Sequence, residues 1–72
     1  DNNSNDKEES IQLLYASIRE LLPAERALII LFLEDKSYKE MAEILGITVT
    51  NIGARINRTK NKLKKIIALK AD

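Results

Sequence analysis

Apolar residues return every three or four positions along most of this chain, the period of helices with one buried face. Ile11, Leu14, Tyr15, Ile18, Leu21 and Leu22 form one such stripe and predict a first helix over about residues 8–21. Pro23 ends it. Its fixed φ and missing N–H suit the first position of a second helix over about 23–34. The later part of that segment is apolar nearly all round, which predicts the most buried element of the fold. A short Asp35-Lys36 link follows. Ser37 and Glu40 then make the S-x-x-E capping box of a third helix over about 38–45, with Met41, Ala42 and Leu45 facing inward. Gly46 fits the left-handed position past its end. A fourth helix starts near Val49, capped by Thr48, and runs to about Leu69. Its core positions are Ile52, Ile56, Leu63, Ile66, Ile67 and the methyl group of Thr59. Ahead of the first stripe, DNNSNDKEES holds no apolar residue. Residues 1–9 read as a disordered tail or interdomain linker, and residues 10–70 as the folded domain. Asp6 and Glu9 are a candidate capping pair for the first helix.

Composition narrows this to one small all-α domain of 72 residues with an aliphatic core. The aromatic residues are Tyr15, Phe32 and Tyr38, and Cys and His are absent. Disulfides and thiolate metal sites are therefore excluded. There is no Ser beside a base and no Gly-rich phosphate loop, and the acids sit at caps and exposed helix positions. Neither an enzyme, nor a metal, nor another cofactor, nor a small-molecule substrate is expected. No apolar run approaches the ~20 residues of a membrane span. No signal-peptide pattern occurs, so no membrane role and a cytoplasmic location are expected.

The charge adds more, because its signs are segregated. Residues 1–52 hold five Lys/Arg against ten Asp/Glu, whereas residues 53–72 hold seven Lys/Arg against Asp72. A basic face of this kind suits a polyanion, although a solvated helix end favoured by the macrodipole reads the same way. The spacing of Ala42, Gly46 and Ile52 is that of a helix-turn-helix: a small residue where two helices cross closely, a tight turn plugged by Ile47, and a second helix anchored by Ile52. On the wheel of that second helix, Ile56, Leu63 and Ile67 fall within about 60° of Ile52, on the core side. Ala54, Asn61 and Lys65 lie opposite, flanked by Thr50, Asn51, Asn57 and Arg58. The outward face thus begins with small and amide groups that suit base edges. It becomes cationic further along, as phosphate contacts require.

LPAERALIILFLEDKSYKEMAEILGITVTNIGARINRTKNKLKK resembles the C-terminal domain, region 4, of extracytoplasmic-function RNA polymerase sigma factors. LP-x-E-R opens the second helix, SYKEMAEILGI is similar to the family's S-Y-x-E-I-A-x-x-L-G-I, and NIGARINRTKNKLKK to its T-V-x-S-R-L-x-R-A-x-x-x-L. The resemblance covers about residues 11–69. It implies a four-helix domain with a C-terminal helix-turn-helix, winged-helix-like but without a wing. The function it implies is recognition of the −35 promoter element in double-stranded DNA, bound to core RNA polymerase through the β flap, with an anti-sigma factor as a further partner. Carried over by position, it puts Gly53, Ala54, Asn57 and Arg58 toward the bases, beside Asn51. Lys39 and Arg55 go to the DNA backbone, where Thr48, Thr50, Asn61, Lys62 and Lys65 also fall. The family often has a basic residue where this chain has Gly53, so one contact is absent here and the preferred sequence is expected to differ.

Other readings stay open at this level. Arg55 is also placed to pair with Glu40 or Glu43, and Tyr38 reads as a packing residue at a helix start. The DNA-binding domain of LuxR-type response regulators shares the four-helix plan, but its second helix usually opens L-T-x-R-E. From another class, the domain reads as a protein-interaction module, with Ile66, Ile67 and Leu69 as an exposed apolar patch.

Overall fold

A computed structural model describes residues 2–71 of the chain, with side chains from Lys7 to Ala71. It contains α1 (Asn2–Ile18), α2 (Pro23–Leu33), α3 (Tyr38–Leu45) and α4 (Val49–Ala71). Among the described residues, no helix is long and apolar enough to cross a membrane. The helices beyond α1 start within a residue of expectation, because each start carries its own chemistry. Leu22, the residue before Pro23, is extended (φ −63°, ψ 153°), as the proline ring requires. The carboxylate of Glu25 accepts the Leu22 N–H at 2.9 Å. This is half a capping box, since leucine offers no acceptor in return. At α3 the box is reciprocal: the Glu40 N–H donates to Ser37 Oγ at 3.0 Å, and the Ser37 N–H to Glu40 Oε1 at 3.1 Å.

Helix ends follow the same logic. Gly46 adopts the left-handed conformation (φ 70°, ψ 31°), and the N–H groups of Gly46 and Ile47 both donate to the Ala42 carbonyl. The end of α2 repeats this without glycine. Asp35 is left-handed at φ 62°, with Asp35 N–H bonded to Phe32 O and Lys36 N–H to Leu31 O. That is a Schellman closure.

The first helix departs from expectation at both ends. It begins at Asn2, so the segment expected to be a tail is helical from Asn2 onward, and Asp6 lies inside the helix rather than ahead of it. No Gly or Pro interrupts residues 2–10, and a helix nucleated by the apolar stripe extends through them. Its last turn tightens after Ile18 through bonds from Glu20 N–H to Ser17 O and Leu21 N–H to Ile18 O. Pro23 forces that early exit.

Two apolar clusters share α4 as their common wall. Leu28, Met41, Ile52 and Ile56 pack at its first half, with Ala42, Leu45 and Ile47 against them. Ile18, Leu21, Ile29 and Leu63 pack at its second half, with Leu14, Ile66 and Ile67 against them. Thr59 is buried between them, as its methyl group required. α4 contributes the most buried residues because it is the longest helix. For its length α2 is the most buried, as expected, with Leu28 and Ile29 buried and Glu25, Arg26, Leu31 and Phe32 half-buried. Its Ile30 and Leu33 reach solvent, because a short helix packed on α4 and α3 has no fourth layer to cover its far side. For the same reason Ile11 and Tyr15 of the first stripe remain 54% and 51% exposed. α1 packs chiefly on α4, through Leu14, Ile18 and the Leu21 beyond its end. The patch expected from Ile66, Ile67 and Leu69 shrinks to Leu69, since the two isoleucines pack on the α1 side.

Candidate nucleic-acid interface

The turn from α3 to α4 holds two helices at close range. Met41 and Ile52 are both fully buried, and Ala42, Leu45 and Ile47 close the cluster around them. Packing of this kind fixes which face of α4 turns outward. At its start, Thr48 Oγ1 accepts the Asn51 N–H at 3.1 Å, and the Thr48 carbonyl accepts the Ile52 N–H. The Thr48 hydroxyl proton is left free to donate outward. The first turns of α2 and α3 hold Glu25 and Glu40, but the first turn of α4 holds no acid. Its exposed amide end therefore presents an uncompensated positive dipole, the arrangement that attracts phosphate.

Asn51, Ala54, Asn57 and Arg58 are all exposed along the outward side of α4. So are Thr50, Arg55, Asn61 and Lys65, together with Lys39 at the start of α3. Arg55 and Arg58 also border a groove of about 520 Å³ between the start of α2, the Leu45–Ile47 turn and α4. Arg55 makes no ion pair with Glu40 or Glu43. Its charge faces the solvent side of the helix-turn-helix.

Two of the expected contacts are placed otherwise. Gly53 is half-buried: a Cβ added there would stand 3.6 Å from Cε2 of Tyr38, whose ring covers it. Lys62 is turned toward α2, where its Nζ donates to Glu25 Oε1 at 2.9 Å. That contact, with the Leu22 N–H beside it, holds the Glu25 carboxyl below the usual range. The Glu40 carboxyl is lowered as well, by its bonds with the backbone and side chain of Ser37. Lys70 pairs with Glu20, and Lys60 Nζ lies 4.4 Å from the centre of the Phe32 ring. The basic stretch therefore divides. Lys60, Lys62 and Lys70 fasten α4 to the rest of the fold, whereas Arg55, Arg58, Lys64 and Lys65 remain on the solvent side.

The L-P-x-E-R segment is the source of three contacts that periodicity did not reveal. Glu25 caps α2 and receives Lys62, and Arg26 Nη2 donates to the Leu21 carbonyl in a long 3.4 Å contact. An acid three residues after a helix cap was the available signal for the first of these. A family model described as "Sigma-70, region 4" matches residues 11–63 of the chain. No curated protein and no solved structure matches it.

Proposed function

Since this chain belongs to the sigma-70 region 4 family, the DNA-binding domain with which sigma factors serve transcription initiation, we propose that it reads the −35 promoter element as part of an extracytoplasmic-function sigma factor. The observation that carries this reading is the outward face of α4, where exposed Asn51, Ala54 and Asn57 are followed by Arg58, Asn61 and Lys65. In the major groove, the small side chain of Ala54 allows close approach. The amides of Asn51 and Asn57 offer paired bonds to adenine, and Arg58 offers its fork to guanine. Lys39, Thr48, Thr50, Arg55, Asn61 and Lys65 hold the DNA backbone and set the register. Lys62 serves the fold first, through Glu25.

The DNA-binding unit is residues 10–70. It acts without catalysis, in the cytoplasm, and docks on core RNA polymerase through the β flap, with an anti-sigma factor as a further partner. Binding selection from random duplexes with the reconstituted holoenzyme tests the proposal. Enrichment of one motif at the −35 spacing supports it, and an unenriched pool contradicts it.

A further inference from the structure

Tyr38 opens α3, is 39% exposed, and rests its ring on α4 at Gly53. No other atom outside the helix backbone lies within 4 Å of the position a Gly53 Cβ would take. The ring is thus the surface of the molecule at that point, and it occupies the space into which a longer side chain at 53 would extend. Gly53 lies about 100° from Ile52 on the helix wheel, on the flank that continues into Asn57. The phenol hydroxyl makes no hydrogen bond among the described residues. Its neighbour Lys39 is exposed, and the nearby Glu40 carboxylate is turned back to the Ser37 N–H.

We propose that Tyr38 is a DNA-backbone contact of this domain: its ring is seated on the bare backbone of Gly53 and its hydroxyl donates to a phosphate beside the groove that α4 enters. The inference rests on the DNA-binding reading above. In a helix-turn-helix the first helix crosses the sugar-phosphate backbone, and tyrosine hydroxyls are among the groups that bond phosphate there. The geometry supplies both requirements. Packing on α4 fixes the ring without using the hydroxyl, and Gly53 keeps the ring close to the recognition face. The missing side chain at 53 is then an exchange of contacts and not a gap. At this place the domain then meets DNA through Tyr38 and not through a side chain at 53.

Fluorescence anisotropy tests this with the present chain and two labelled duplexes, one carrying the sequence enriched by selection and one scrambled. Tyr38→Phe keeps the ring and removes the hydroxyl. It is expected to weaken binding to both duplexes by about 10- to 100-fold, the range of one hydrogen bond to a charged group. Their ratio and the helicity of the protein should not change. Gly53→Leu, which displaces the ring, is expected to lose the same factor, and Tyr38→Phe added to it should lose nothing more. Gly53→Ala should bind as the unsubstituted chain does, because its Cβ meets the ring at ordinary contact distance. Unchanged binding by Tyr38→Phe overturns the contact. A loss confined to the selected duplex overturns the phosphate role, and full additivity of the two losses overturns the part given to Gly53. If the unsubstituted chain binds neither duplex, the DNA reading itself fails and the Tyr38 contact fails with it.

Discussion

Lys62 Nζ donates at 2.9 Å to the same Glu25 oxygen that accepts the Leu22 N–H, so one carboxylate both caps α2 and anchors α4 to it. The pair is partly exposed, which limits its Coulombic worth to about 0–1 kcal/mol. Its geometric consequence is larger. It fixes the second half of α4 against the start of α2, and α4 is the helix whose outward face is proposed to meet DNA.

Acid should weaken this connection. The folded-state pKa values of Glu25 and Glu40 lie below their unfolded values, Glu25 chiefly through Lys62 and Glu40 chiefly through the Ser37 N–H. Groups shifted in that direction contribute stability that is complete above about pH 5 and is lost as pH falls through the folded values. Thermal melts between pH 7 and pH 3 should show a falling midpoint below pH 5. In Glu25→Gln the midpoint should start lower at pH 7 and fall less. An unchanged acid limb in that variant would remove Glu25 from the explanation.

The two glycines should respond oppositely to alanine. Gly46 is left-handed at φ 70°, a conformation that costs an alanine roughly 1–2 kcal/mol. Gly53 is helical with room for a Cβ at 3.6 Å from Tyr38, so alanine there should add up to ~1 kcal/mol of stability. Urea unfolding of the two variants measures both signs, and a shared sign would contradict these backbone assignments.

Asp35 is left-handed without being glycine and closes the Schellman turn after α2. Asp35→Gly should therefore stabilise the domain by roughly 0.5–1 kcal/mol, read as a higher urea midpoint at unchanged slope. A lower midpoint would mean that the aspartate side chain contributes more than its backbone conformation costs.

The division of the basic residues predicts different salt responses. Arg55→Ala should lower the slope of log K against log salt for DNA binding by about 1 and leave the melting midpoint nearly unchanged, since Arg55 has no ion-pair partner among the described residues. Lys62→Met should do the reverse, lowering the midpoint while keeping the slope. Filter binding at four or more salt concentrations separates them, and equal slope losses would return Lys62 to the DNA contacts.

These contrasts mark how far the sequence could be read. Met41, Ile52, Ile56 and Leu63 were legible because helical period alone assigns them to one face, and Ser37 with Glu40 because capping is local chemistry. Ile11 and Tyr15 obey the same period yet remain exposed, since periodicity identifies a stripe and not the number of partners available to cover it. Lys62 and Tyr38 were harder still. What each touches, Glu25 and Gly53, lies far along the chain, and no local pattern distinguishes a lysine that pairs within the fold from one that waits for phosphate. The charged and amide groups of the outward face were legible as types and spacing, and their exposure followed once Ile52 and Ile56 fixed the core side.

Asn57 offers the most direct test of base reading by α4. It is exposed on the flank of the outward face, and its amide makes no hydrogen bond among the described residues. The measurement is the affinity of Asn57→Ala and of the unsubstituted chain for every single-base-pair change in the selected duplex. If α4 reads bases through this face, the variant loses its preference at one or two adjacent base pairs, worth about 1–3 kcal/mol there, and keeps its preferences elsewhere. A profile identical in shape to that of the unsubstituted chain would show that this face of α4 does not read the promoter.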